Sequence, residues 1–131
     1  MIASTQPAFG LARIGQIHVT VRDLERAIRF YRDSLGVRFL FQVPSMAFFD
    51  CDGTRLMLGV AEEPGAAPHA SILYFTVADI HEAHETLGAR GVEFVGEPHL
   101  VAKMETHDLW MAFFKDGEGN TMALMCEAAK A

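Results

Sequence analysis

The chain has 131 residues, half of them hydrophobic, and a formal net charge of −6. This length and composition predict one globular domain, and the acidic balance argues against a general nucleic-acid-binding protein. No apolar run approaches the roughly 18 residues that a membrane-spanning helix needs, so we predict no membrane contact. Cys51 and Cys126 form no CxxC pair, and we predict two buried free thiols in a reducing, cytoplasmic location.

The first half of the chain predicts a strand, a helix and three further strands. Alternating apolar and polar residues, helical spacing and turn signals give a strand over 14–22, a helix over 24–35, and strands over 37–43, 46–51 and 54–60. Asp23 is placed to cap the helix and Gly36 to end it. Asp52-Gly53 is a two-residue hairpin signal between the last two strands.

The second half predicts the same order of elements. After a polar connector, it gives a strand over 71–77, a helix capped by Asp79, and strands over 92–95, 109–114 and 121–126. Glu82 is placed for a capping box with Asp79. The segment 97–108 is interpreted as a long connecting loop, and such loops are often lids or binding loops.

The two halves are copies of one unit. Val21-Arg22-Asp23-Leu24 returns as Val77-Ala78-Asp79-Ile80, and Phe48-Phe49 returns as Phe113-Phe114. The repeat predicts an α+β fold of two β-α-β-β-β modules that share a core, because each unit alone is too small to build one. We place an amino-terminal arm at 1–13 and a single domain at 14–127. Module one covers 14–61, the connector 62–70 and module two 71–127.

Two motifs carry a resemblance to a known family. The first is Asp23-Leu24, Ala27, Phe30-Tyr31 and Leu35-Gly36; the second is Asp116-Gly117-Glu118-Gly119-Asn120. Together with the tandem repeat they resemble the vicinal oxygen chelate superfamily, which includes glyoxalase I, extradiol dioxygenases and bleomycin-binding proteins. The resemblance implies sheets that curl around a cavity for a small molecule, with the cavity formed within or between the chains of a dimer. We therefore expect a homodimer in which Phe9 and Leu11 of the arm pack on the partner.

The resemblance also implies four metal-ligand positions, two in each module. Counted from the capping aspartates and the turn glycines, they fall at Gln16, Met57, Ile72 and Ala123. Only Gln16 carries an oxygen that suits a hard cation, and one amide oxygen does not hold a divalent metal by itself. We therefore predict a cavity without a metal or another cofactor.

His18 is the predicted catalytic residue. It lies two residues after Gln16, so both side chains leave the strand on the same face, and Tyr74 holds the matching place in module two. A neutral imidazole can accept a proton from a ligand or donate one; the alternative is a core histidine that a neighbour satisfies. The other predicted ligand contacts are Met57, Met125, Arg55, Trp110, His99 and His107.

Three functions remain open at this stage. The leading prediction is a glyoxalase-like or bleomycin-resistance-like protein that binds a partly hydrophobic small molecule, with or without acid-base catalysis by His18. The second is a metal-dependent lyase, isomerase or dioxygenase of the glyoxalase type that uses displaced ligands, such as His18, His99, His107 and Glu105. The third is a non-catalytic protein that sequesters a drug or metabolite. Trp110 is predicted to stack on a ring of the ligand; the alternatives are that it closes the core or makes a dimer contact.

Overall fold

The computed structural model describes residues 7–9, 11–61 and 71–130. The whole predicted connector, 62–70, therefore lies outside the described residues, as does part of the amino-terminal arm. The elements of module one are β1 (Gln16–Val21), α1 (Leu24–Arg29) with a π-helical continuation (Phe30–Ser34), β2 (Arg38–Val43), β3 (Met46–Cys51) and β4 (Thr54–Val60). Those of module two are β5 (Leu73–Thr76), α2 (Ile80–Ala89), β6 (Glu93–Phe94), β7 (His99–Lys103), β8 (His107–Lys115) and β9 (Thr121–Ala129).

Each module forms one mixed sheet, and the two sheets have matching strand orders. The first is β1-β4-β3-β2 and the second is β5-β9-β8-β6, with β7 also paired to β8. The first and last strands of each module run parallel, and the other pairs are antiparallel. The repeat therefore gave the correct tandem architecture. Among the described residues, no helix is both long enough and apolar enough to cross a membrane.

The prediction of a long loop over 97–108 is wrong. His99–Lys103 is strand β7, and β8 begins at His107 rather than at Leu109, so this segment is a β-hairpin. Its turn is closed by the Met104 amide, which donates to the His107 carbonyl at 2.8 Å. Gly96 has a φ of 103°, a conformation that favours glycine, and it separates β7 from β6. Module two therefore has its second strand in two pieces.

Both helices begin at their predicted caps. The Asp23 carboxylate accepts from the Arg26 amide, and the Asp79 carboxylate accepts from the Glu82 amide, each at 3.1 Å. The first helix widens into a π-helix over its last turn, and the Leu35 amide donates to the Phe30 carbonyl at 2.9 Å. The wider turn carries Tyr31 into the core, where its hydroxyl meets Asp116 of module two.

One core lies between the helices and the inner faces of both sheets. Its largest fully buried side chains are Tyr31, Phe49, Phe114, Ile28, Leu56, Leu58 and Met122, with Val19 and Val21 of β1. Because side chains alternate along a strand, Ile17, Val19 and Val21 face this core. Gln16, His18 and Thr20 therefore face the opposite, concave side of the sheet.

The turn between β8 and β9 fastens module two to module one. The buried Asp116 carboxylate accepts from the Tyr31 hydroxyl at 2.9 Å and from the Asn120 amide at 2.7 Å. Asn120 also donates to the Thr20 carbonyl of β1 at 3.2 Å. These contacts tie the motif at residues 116–120 to the strand that carries His18. Burial and the charge of Asp116 both raise the pKa of Tyr31, so this hydroxyl stays a donor.

Glu118 of the same turn is a buried carboxylate at the start of α1. It accepts from the backbone amides of Arg22, at 2.7 Å, and Asp23, at 3.3 Å, and pairs with the Arg26 guanidinium. Burial acts to raise the pKa of Glu118, but these donors outweigh it and hold that pKa below its usual value. The charged form of Glu118 is therefore part of the folded state.

Candidate functional site

The concave face of the first sheet carries the predicted site residues of module one. His18, Met57 and Phe48 are direct neighbours across β1, β4 and β3, and they form one row on this face. Gln16 donates from its amide nitrogen to the Met57 sulfur at 3.9 Å. The structure therefore brings Gln16, His18 and Met57 together, as the strand alternation predicted.

The imidazole of His18 can approach Gly59 closely, with Nε2 nearest, because Gly59 has no side chain. A methyl group at position 59 would overlap His18 Nε2, and Gly59 is buried beneath the ring. Sequence reasoning missed this glycine. A glycine inside a strand often marks the close approach of another group, and that signal was available at position 59.

The concave face of the second sheet has a matching row. Tyr74, Ala123 and Phe113 are neighbours across β5, β9 and β8, so they correspond to His18, Met57 and Phe48. The rings of Tyr74 and Phe113 meet edge to face, with centroids 6.2 Å apart. Ala123 lies between them in the register and is fully buried. Position 123 is therefore closed by two aromatic rings.

Three further predicted contacts extend this second face. Met125 is the register partner of Met111, and the His99 ring stacks on Phe113 with centroids 6.1 Å apart. At the far end of the sheet, His107 Nε2 lies 3.7 Å from a carboxylate oxygen of Glu127. Glu127 was not among the predicted site residues. Glu127 alternates with Ala123 and Met125 along β9, and this pattern in the sequence places all three side chains on the same face.

Arg55 lies across an aromatic surface. Phe41 and Phe48 stack with centroids 4.6 Å apart, and the Arg55 guanidinium carbon lies 5.8 Å from the Phe48 ring centre. Such an arrangement attracts a cation to the ring face. The concave side of module one therefore combines an aromatic surface with the Arg55 cation and the polar groups of Gln16 and His18.

Trp110 lies on the other side of its sheet. Its ring meets the His81 ring of α2 edge to face, with centroids 5.2 Å apart, and it packs against the core. The expectation that Trp110 faces the ligand cavity is corrected by this position. The alternation along β8 explains it, because Trp110 has the parity of the buried Ala112 and Phe114.

The residues at the four family metal positions do not suit a metal. Gln16 directs its amide nitrogen to the Met57 sulfur, and Ala123 is closed over by rings. Ile72, the fourth position, has no donor side chain. Within residues 7–9, 11–61 and 71–130, no three His, Cys, Asp or Glu side chains are grouped to hold a metal ion. The displaced set of His18, His99, His107 and Glu105 is therefore not assembled in the described chain.

A cleft between the modules takes lining residues from both sheets. Arg55 and Tyr74 line a cleft of about 830 Å³ between the modules, but Gln16 and His18 are not among its lining residues. Several apolar residues on or beside the concave side remain exposed: Phe41 and Val43 in module one, and Ile72 and Tyr74 in module two. Each concave face therefore presents both apolar and polar side chains to solvent in the described chain.

Comparison with known proteins identifies the family. The family model for the Glyoxalase/Bleomycin resistance protein/Dioxygenase superfamily matches residues 13–125, and the chain belongs to this superfamily. The uncharacterized protein YraH of Bacillus subtilis (strain 168) is 28% identical over 123 residues, which cover 83% of this chain and 94% of YraH.

Solved structures confirm the fold. A superfamily member from Sphaerobacter thermophilus DSM 20745 is 27% identical with a TM-score of 0.73, and the match covers 89% of this chain and 98% of that one. Lactoylglutathione lyase from Agrobacterium tumefaciens is 19% identical with a TM-score of 0.71, over 89% of this chain and 95% of that one. At that identity, the second likeness shows the shared fold alone.

Proposed function

We propose that this chain binds a partly hydrophobic small molecule on its concave faces without a metal, and that His18 is the group that exchanges a hydrogen bond or a proton with the ligand. The observation that carries the proposal is the row formed by His18, Met57 and Phe48. It places an imidazole held over Gly59 beside an apolar and aromatic surface. Ligand sites commonly combine apolar walls with a few such polar groups.

His18 supports either of two modes of action. Its imidazole is exposed toward the concave side, so a bound ligand can reach a ring nitrogen. If the ligand has an acidic C–H or O–H bond there, a neutral imidazole takes that proton as a general base and returns it as a general acid. If the ligand has no such bond, the same nitrogen holds it by a hydrogen bond, and the protein sequesters the ligand without turnover.

We propose in addition that two chains form a homodimer that completes the site. The concave faces carry exposed apolar side chains, including Phe41, Val43 and Tyr74. In the described residues, β1 pairs only with β4 and β5 only with β9, so each strand leaves one edge open. A two-fold partner that presents the second face to the first would cover both the apolar surface and the edges. The two free cysteines agree with a reducing compartment such as the cytoplasm.

The test combines metal analysis with ligand binding. We expect purified protein to carry no stoichiometric metal, and added zinc, nickel or manganese to leave the Tm unchanged, because a metal bound to the native state would raise it. Against a hit from a fragment library, His18→Ala should weaken binding by about 1–2 kcal/mol, the range for a buried hydrogen bond. His81→Ala, on α2, is the matched control and should bind as the wild type does. A metal that EDTA removes and that raises the Tm would overturn the proposal.

A further inference from the structure

We infer that the cleft between the modules binds a carboxylate through Arg38 and Arg55, so that the ligand of this protein is an aromatic carboxylic acid. This inference rests on the proposed small-molecule function and adds the chemical class of the ligand. Arg38 and Arg55 both line the 830 Å³ cleft, together with Tyr74 and Thr76 of β5. That volume lies within the range of about 300–1,000 Å³ typical of small-molecule sites.

The strand register places the two arginines on one row. Arg38 of β2 and Arg55 of β4 are each a direct neighbour of Asp50 on β3. Direct neighbours on one face have Cβ atoms about 4.5–5.5 Å apart, so the two arginines leave the sheet on the same face, one strand to either side of Asp50. In the part of the chain that the structure describes, neither arginine forms an ion pair with Asp or Glu.

In the described residues, Asp50 forms no ion pair with either arginine. Its Oδ1 accepts instead from the backbone amide of Gly53 at 3.1 Å, which closes the β3–β4 turn. Arg55 is drawn toward the Phe48 ring, with 5.8 Å between the guanidinium carbon and the ring centre. Asp52 also lines the cleft, and it belongs to the turn itself. Both arginines therefore keep donors available for a ligand.

The repeat supplies an internal comparison. In module two the corresponding row is Glu93, Lys115 and Thr121. There the single cation is engaged, because Lys115 Nζ donates to Thr121 Oγ1 at 2.7 Å. Two arginines that flank one aspartate without an ion pair to it are thus, among the described residues, a feature of module one and not of the repeated unit.

The geometry of the two groups selects the ligand. A guanidinium presents paired N–H donors that match the two oxygens of a carboxylate. An acid held by the two arginines lies in the same cleft as the half-exposed Tyr74 ring, which offers a planar apolar surface. Arg55 also joins this cleft to the row of His18, Met57 and Phe48, since its guanidinium carbon lies 5.8 Å from the Phe48 ring centre. A carboxylate joined to an aromatic ring satisfies the cations and this surface at once.

The experiment compares three acids with their neutral amides by isothermal titration calorimetry on the full chain. The pairs are benzoate with benzamide, 2-naphthoate with 2-naphthamide, and indole-3-acetate with indole-3-acetamide. We expect at least one acid to bind about tenfold more tightly than its amide, as for a hydrogen bond to a charged group. Arg38→Gln and Arg55→Gln should each remove most of that preference, measured as the ratio of acid affinity to amide affinity in each variant. Asp50→Asn, which keeps an oxygen for the Gly53 amide, should strengthen acid binding.

Arg29→Gln is the matched control, since Arg29 lies on α1 and makes the same change of net charge outside the cleft. The inference is overturned if no acid binds, if no acid binds more tightly than its amide, or if the preference survives either cleft substitution. It is also overturned if Arg29→Gln removes the preference equally. Amide binding that His18→Ala weakens would keep the proposed function while the carboxylate site fails. If the affinity for the amide is the same in His18→Ala as in the wild type, the proposed function itself is contradicted.

Discussion

Glu118→Gln is the sharpest test of how the two modules hold together. The substitution keeps the size of the side chain and removes its charge. In the native chain, Glu118 accepts from two backbone amides and from Arg26, and its side chain is 1% exposed. Glutamine has one acceptor oxygen, so its NH₂ group would face at least one of these donors in a buried place.

The expected cost follows from these contacts. A lost hydrogen bond to a charged group, with a buried donor left unsatisfied, destabilises by about 2–4 kcal/mol. Arg22 and Arg26 contribute little of this, because their side chains are 71% and 53% exposed and solvent screens exposed pairs. The two backbone amides carry most of the effect.

Urea unfolding followed by circular dichroism measures the difference in the free energy of unfolding between wild type and Glu118→Gln, first at pH 7. The folded state lowers the pKa of Glu118, so the charged form stabilises the protein fully above the unfolded pKa of about 4.3. That stabilisation is lost as the pH falls through the lower folded-state pKa. The difference in unfolding free energy between wild type and Glu118→Gln should therefore become smaller in acid. Glu85→Gln, an exposed change on α2, is the control and should stay within about 0.5 kcal/mol. A gap below about 1 kcal/mol at pH 7, or one that persists unchanged in acid, would refute the reasoning.

Three further predictions concern the site and the assembly. Gly59→Ala should displace the exposed His18 ring and weaken ligand binding as His18→Ala does, while the free energy of unfolding changes by no more than about 0.5 kcal/mol, because the ring can move away. Gly88→Ala, where an added methyl meets open space, should leave ligand binding unchanged, as calorimetry would show. Tyr31→Phe removes the 2.9 Å bond to Asp116 and should cost about 1–3 kcal/mol in urea unfolding; a cost near zero would mean that the carboxylate finds another donor. Light scattering at micromolar concentration should return a dimer mass, and a monomer mass would contradict the proposed two-fold assembly.

The fold was predictable because the two halves of the sequence repeat one pattern of strands and helix. The repeat and the alternation in β1 gave the module order and the concave positions of Gln16 and His18, since a strand offers only two faces. The hairpin over β7 and β8 was not predicted, because its histidines and charges resemble loop residues and only pairing with β8 makes them a strand. The strand that carries Trp110 was predicted, but the side of the sheet that it faces was not. Its alternation in phase with Ala112 and Phe114 places it on the core side.

The cleft was also beyond the reach of single-strand patterns. Arg38 lies on β2 and Tyr74 on β5, and only the packing of the modules brings them to one cavity. Arg38 was therefore missed, although the register opposite Asp50 marks it once β2 and β3 are paired. Contacts between distant strands depend on tertiary structure, and periodicity within a segment carries no information about them.

The turn between β8 and β9, residues Asp116–Asn120, also sets the order in which a newly synthesised chain can finish folding. The amides of Arg22 and Asp23 find their carboxylate 95 or more positions later in the chain. When only module one has left the ribosome, the amides at the start of its helix therefore have no Glu118 carboxylate to bond to. Contacts this distant in sequence slow folding, because a large loop must close before they form. Module one should consequently mature only after the last two strands have emerged, and a truncation before residue 116 should damage the half of the protein that it leaves in place.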